Sequence, residues 1–151
     1  MVDLDQEWGI LRARYKETFK TVASPKVVYK TYTSIIDLLK YAAENCLSAR
    51  RCEILKKRLF TNSPVSLQDI AIGFDVSRER IRQLQNSSWR RLSTGIYMYT
   101  RFVSYRESLK NILMSVPNDM LDSTIEAIYL TNKPIGEWLY MIVGAGNQNQ
   151  N

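Results

Sequence analysis

Apolar residues recur every three or four positions through most of the chain, the period of a helix buried along one side. Nowhere do they alternate as a half-buried strand requires, so the pattern predicts an all-α protein, a multi-helix bundle. A first helix is expected over Gln6 to Val22, with Trp8, Leu11, Tyr15 and Phe19 on one stripe. Ser24-Pro25 reads as the next helix start, because serine caps free amides and proline at the first helical position gives up no hydrogen bond. That helix runs to Glu44 and buries Val28, Tyr32, Ile35, Ile36, Leu39 and Ala43 by spacing. A third, Ser48 to Phe60, combines Cys52, Leu55 and Leu59 with Arg50, Arg51, Lys56, Lys57 and Arg58, and Asn62-Ser63-Pro64 breaks the chain after it. Towards the C-terminus, helices are expected over Tyr97 to Met114, over Asp119 to Leu130 with Asn118 as cap, and over Pro134 to Val143 with Gly144 as C-cap. Residues 144–151 have nothing to bury and are expected to be disordered.

Between these lies a stretch with two start signals close together. Ser66 with Asp69 three residues later resembles a capping box, with Asp in place of the longer Glu or Gln. Ser77 is placed to cap a second helix after only Phe74-Asp75-Val76. Two helices joined by so short a turn form a helix-turn-helix. Ile70, Ala71, Phe74, Val76, Ile81 and Leu84 are the positions needed to pack the pair, with small Ala71 at the closest approach. Asp75 stands at the turn, where the left-handed conformation favours Gly but Asp is tolerated. On the second helix Arg78, Glu79, Arg82 and Gln83 project away from Ile81 and Leu84. Arg pairs with guanine, Gln with adenine, and Glu accepts from cytosine N4. A glutamate is costly against phosphates, so its presence points to base reading. Ser66, Ser77, Arg80, Arg90 and Arg91 are the candidate phosphate contacts.

Charge sharpens this picture. The formal net charge is +6; residues 1–99 carry 17 basic and 10 acidic side chains, and residues 100–151 carry 4 and 5. A polyanion partner is therefore expected on the first two-thirds. The chain has no histidine, which excludes imidazole catalysis and His-ligated metals. With no phosphate-binding glycine loop and no clustered carboxylate pair, no catalytic constellation can be assembled, so neither enzymatic activity nor a cofactor is expected. Cys46 and Cys52 do not have zinc-site spacing and read as reduced, buried thiols of a cytoplasmic protein. No apolar run approaches the roughly 18 residues that span a bilayer, and Met1-Val2-Asp3-Leu4-Asp5 lacks the basic flank of a signal peptide.

The string Val76-Ser77-Arg78-Glu79-Arg80-Ile81-Arg82-Gln83-Leu84, continuing to Trp89-Arg90-Arg91-Leu92, resembles region 4 of the sigma-70 family, the minus-35-reading motif of bacterial RNA polymerase sigma factors. The run Leu47, Glu53-Ile54-Leu55 and Arg58-Leu59 resembles the helix preceding that motif. The resemblance spans about Leu47 to Leu92. It implies double-stranded promoter-like DNA as partner, with Ser77 to Asn86 in the major groove, Arg78, Glu79 and Gln83 on bases and Arg82 on a base or phosphate. It also implies RNA polymerase against the upstream helix, and a bacterial, phage or plasmid source. Gln85-Asn86-Ser87-Ser88 departs from the family's usual Glu and Ala-rich continuation, and Trp89 is bulkier than the typical leucine. Nothing in the chain resembles the region that melts the minus-10 element, so a complete sigma factor is not expected.

The organisation read from the sequence is thus an N-terminal helical extension at 1–46, a region 4-like domain at 47–93, a C-terminal helical segment at 94–143 and a tail at 144–151. The basic run Arg50, Arg51, Lys56, Lys57, Arg58 reads as a solvated face or as a surface for phosphate or polymerase. Trp8, Leu11, Tyr15 and Phe19, like Tyr97, Tyr99, Phe102 and Tyr105, read as packing residues rather than base-stacking platforms. The C-terminal segment is open to three uses: completing a core, forming a homodimer, or holding a protein. A second functional reading keeps the fold but makes polymerase or a sigma factor the partner, as an anti-sigma or appropriator-like protein would.

Overall fold

The computed structural model describes residues 4–15 and 20–145, which carry eight α-helices and no strand. They are α1 (Leu4–Tyr15), α2 (Pro25–Cys46), α3 (Ala49–Arg58), α4 (Leu67–Phe74), α5 (Arg78–Met98), α6 (Val103–Met114), α7 (Leu121–Thr131) and α8 (Lys133–Tyr140). Short 3-10 turns at Thr100–Phe102 and Asn118–Met120 and a π turn at Met141–Ala145 complete them. The chain gathers into two units, Ile36–Tyr105 and a discontinuous one of Met1–Ile35 with Arg106–Asn151.

In the unit Ile36–Tyr105, the second half of α2 buries Ile36, Leu39, Ala42 and Ala43, and α3 buries Cys52, Ile54 and Leu55. Ile54, Ile70, Ala71, Ile81 and Leu84 form the core under the helix-turn-helix, with Leu67, Phe74 and Val76 packed on its rim. The six apolar positions read from the sequence are all in that core or on its rim, and α3 contributes Ile54. Helix α5 is longer than the sequence suggested. It runs 21 residues to Met98, so no new helix starts at Tyr97, and the break falls at the extended Tyr99. The chain then turns back so that the Phe102 ring lies on Gly95, where a Cβ would come within 2.1 Å of a ring carbon. Only glycine permits that approach, so Gly95 is a packing position inside the helix and not a breaker.

In the other unit, Trp8 and Leu11 of α1 are buried, as are Leu109 and Leu113 of α6, Leu121, Ile125 and Ile128 of α7, and Ile135, Trp138 and Leu139 of α8. Gly136 lets α8 approach α7 closely; a Cβ there would lie 2.2 Å from the Tyr129 Cα. The expected first helix does not reach Val22, which is 84% exposed, since residues 20–24 are not helical; Phe19 lies outside the described residues. Tertiary bonds satisfy that backbone instead. The Thr21 amide donates to the Asp119 carbonyl at 2.7 Å, and the Ala23 amide donates to Ser123 Oγ at 2.8 Å. Val28 and Tyr32 of α2 are half-buried, against the expectation of burial.

Two predicted caps are also corrected. Asn118 lies inside a 3-10 turn and α7 begins at Leu121 with no side-chain cap, because the turn supplies its own backbone bond from Met120 to Pro117. Gly144 is no left-handed C-cap: no glycine among the described residues has positive φ, and Gly144 lies in the π turn against the Tyr15 ring. Of the last predicted segment, residues 146–151 lie outside the described residues.

Candidate nucleic-acid interface

The turn between α4 and α5 is built as its sequence requires. Ser66 Oγ accepts from the Asp69 amide and Ser77 Oγ from the Arg80 amide, each at 3.0 Å, satisfying a free donor in the first turn of each helix. Asp75 sits at φ 54° and ψ 49°, the one non-glycine residue of positive φ among the described residues. Its amide bonds the carbonyls of Ala71 and Ile72, closing α4 in the left-handed manner usual for glycine.

This turn fixes which side of α5 faces outward. Ile81 and Leu84 are buried, whereas Arg78, Glu79, Arg80, Arg82 and Gln83 are exposed. Glu79 and Arg82 pair with each other: Arg82 Nε donates to both carboxylate oxygens, at 2.9 and 3.0 Å, and Nη2 donates to one of them. Those hydrogen bonds hold the Glu79 carboxyl below its ordinary pKa and raise that of Arg82. Arg90 and Arg91 are exposed further along the same helix. Ser66 and Ser77 are exposed too, but their hydroxyls already serve as caps.

The basic residues of α3 do not form one face. Arg50 is exposed and lies over the Phe74 ring at 5.2 Å, Lys56 pairs with Glu44 at 3.4 Å, and Lys57 pairs with Glu53 at 3.0 Å. Arg51 and Arg58 turn towards α5. Arg51 Nη1 donates to Ser87 Oγ at 2.8 Å and Ser88 Oγ at 3.0 Å, and Arg58 Nε donates to Gln85 Oε1 at 2.9 Å. Arg58 also donates to the Val65 carbonyl, tying down the segment before α4. Burial, then Arg91 and Arg80, lower the Arg51 pKa. The signal was present in the sequence: Arg51, Leu55 and Arg58 are spaced i, i+4, i+7, which puts both arginines on the stripe of a buried leucine.

The departures of the sequence at residues 85–89 now have a physical account. Gln85, Ser87 and Ser88 are the acceptors for the two α3 arginines, and Trp89 meets Phe60 edge to face, with centroids 6.2 Å apart. Arg90 and Arg91, read from the sequence as phosphate contacts, belong to a larger group in the C-terminal half of α5 and just beyond it, whose other members sequence reasoning missed. There Ser87, Arg90, Arg91, Thr94, Tyr99 and Arg101 line one groove.

The unit Ile36–Tyr105 carries the whole net charge. It holds 12 Lys and Arg against 6 Asp and Glu, while the other unit holds nine of each. Among the described residues no cluster of three His, Cys, Asp or Glu is placed to hold a metal ion. Both cysteines are free; Cys52 is buried, which raises its thiol pKa, and Cys46 is only half-buried, less than expected. No described helix is long and apolar enough to cross a membrane.

A short helix, a left-handed turn and a longer helix with an exposed polar first turn define a helix-turn-helix protein. Residues 45–94 match the family model for sigma-70, region 4, and this segment, about a third of the chain, is a sigma-70 region 4 domain. No solved structure matches the chain.

Proposed function

We propose that this chain is a sequence-specific DNA-binding transcription regulator that lays the first turns of α5, Ser77 to Asn86, in the major groove of a promoter-like element. Arg78, Glu79, Arg82 and Gln83 read base edges, and Arg80, Arg90 and Arg91 hold phosphates. The role is binding, not catalysis, in the bacterial or phage-infected cytoplasm, with RNA polymerase as second partner. The observation that carries this reading is that Arg78, Glu79, Arg82 and Gln83 are all exposed on the first turns of α5, opposite the buried Ile81 and Leu84. The ion pair between Glu79 and Arg82 supports it further, because Arg82 offsets the repulsion that a lone carboxylate would meet near phosphates.

The test is fluorescence-anisotropy binding to a duplex carrying a minus-35-like hexamer and to its scramble. Wild type is expected to prefer the hexamer, and Glu79→Ala to lose that preference. Each bidentate base contact contributes about 1–3 kcal/mol of discrimination. If the substituted protein discriminates as wild type does, Glu79 does not read bases. If wild type binds neither duplex, the region 4 domain serves a protein partner, and polymerase pull-down identifies it. Pairing on two half-sites one helical turn apart is read from the stoichiometry of the same titration.

A further inference from the structure

The groove at the end of α5 continues the helix face that carries two of the base-reading residues, Glu79 and Gln83. Glu79, Gln83, Arg90 and Thr94 are spaced by four, seven and four residues, so all four fall within about 60° of one meridian. At about 1.5 Å per residue, Arg90 stands about 16 Å along the axis from Glu79. The major groove is about 12 Å wide. Where the axis of α5 crosses the groove that receives its first turns, a bounding strand comes within reach of residues 90–94.

What stands there is built for phosphate. Three guanidinium groups and three hydroxyls line the groove, with no carboxylate among them. Among the described residues Arg90, Arg91 and Arg101 take part in no salt bridge. The third arginine is carried to the site by packing. Gly95 admits the Phe102 ring onto α5, Tyr99 stacks on Phe102 with centroids 6.3 Å apart, and Arg101 lies over the same ring at 4.9 Å. Tyr99 and Arg101 lie beyond the matched segment 45–94.

We infer that Arg101 and Tyr99, with Arg90, Arg91 and Thr94, form a second phosphate clamp that grips the DNA backbone beyond the base-reading turns. This inference rests on the DNA-binding reading above and extends its footprint to the 3-10 turn after α5. The shared helix face favours a duplex over an acidic protein, which would not need to follow the line from Glu79 to Thr94.

The experiment measures affinity for the hexamer and scrambled duplexes at 50 and 200 mM salt, for wild type, Arg101→Ala, Arg101→Gln and Arg101→Lys. Arg101→Gln keeps much of the stem over Phe102 and guards against a folding defect, which thermal melting would expose. Loss of one phosphate contact lowers the salt slope by about 0.9, so the ratio of affinities at the two salts should fall about 3.5-fold. Both neutral substitutions should show this loss equally on the two duplexes, with the hexamer preference kept, and Arg101→Lys should restore the slope. If wild type prefers the hexamer and the neutral substitutions leave affinity and slope unchanged, the clamp is overturned and base reading stands. If wild type shows no hexamer preference but the slope still falls, the clamp stands and base reading fails. An unchanged slope on DNA with loss of binding to poly-glutamate would assign the groove to an acidic protein and overturn the clamp, and a wild type that binds no duplex overturns both.

Discussion

The two units use their cations in opposite ways. In the unit Ile36–Tyr105, which contains the region 4 domain, Arg78, Arg80, Arg82, Arg90, Arg91 and Arg101 are exposed, whereas in the other unit Arg14, Arg106 and Lys110 are 8%, 1% and 0% exposed. The buried ones are committed to structure. Arg14 donates to the carbonyls of Leu113 and Met114 in the last turn of α6, where the dipole is negative, and to that of Val116 just beyond it; the Leu113 carbonyl also accepts from the Val116 amide. Lys110 pairs with Glu107 at 3.2 Å and lies 5.7 Å from the centre of the Trp8 ring. A cation on this chain marks a ligand surface only where packing leaves it outside, and the neutral unit shows that charge need not face a partner at all.

The largest test of that contrast is Arg14→Ala. Removing a buried, charge-assisted donor from three carbonyls should cost about 3 kcal/mol. Urea denaturation should show the loss, with hexamer preference in the folded protein unchanged. A loss under about 1 kcal/mol would mean that solvent or another group satisfies those carbonyls, and Arg14 would cease to be structural.

The contrast sharpens inside the region 4 domain, where Arg51 and Arg58 are structural although they sit on a basic helix. Arg51→Ala should cost about 1.5 kcal/mol, because Ser88 is fully buried and keeps no other donor as strong. A double-mutant cycle with Ser88→Ala should return a coupling of about 1 kcal/mol. Base preference should be retained in both. Zero coupling would return Arg51 to the set of free cations available to a partner.

These cases also show where the sequence is readable and where it is not. The helix-turn-helix was legible because its signals are local: Ser66, Asp75 and Ser77 act on their own backbone within a few residues, and Ile81 and Leu84 recur at helical spacing. The length of α5 was not, since its end is set by the Phe102 ring on Gly95, a contact made by chain reversal. The pairing of Met1–Ile35 with Arg106–Asn151 is likewise non-local, and so the partition of charge at residue 99 mixed the two units. Arg101 escaped notice for the same reason: only the 3-10 turn brings it beside Arg90 and Arg91.

The smallest effect concerns an exposed pair that the contrast assigns to function. The hydrogen bonds from Arg82 depress the pKa of Glu79 in the folded protein. Stability linked to the pair is therefore present above the ordinary glutamate value of about 4.3 and is lost as pH falls through the lower folded value. Both side chains are exposed, so solvent screening leaves little to be seen in melting. The carboxyl itself is the better reporter. Its side-chain NMR titration should have a midpoint below the ordinary range in wild type and return to it in Arg82→Ala or in high salt, where a surface pair is screened. On DNA, hexamer preference should persist down to that lowered midpoint and fail beneath it, since a protonated Glu79 loses the charge that favours cytosine N4. An ordinary midpoint in wild type would show that the pair does not hold in solution, and Glu79 would then face the phosphates without the neutralising arginine on which its place in the groove depends.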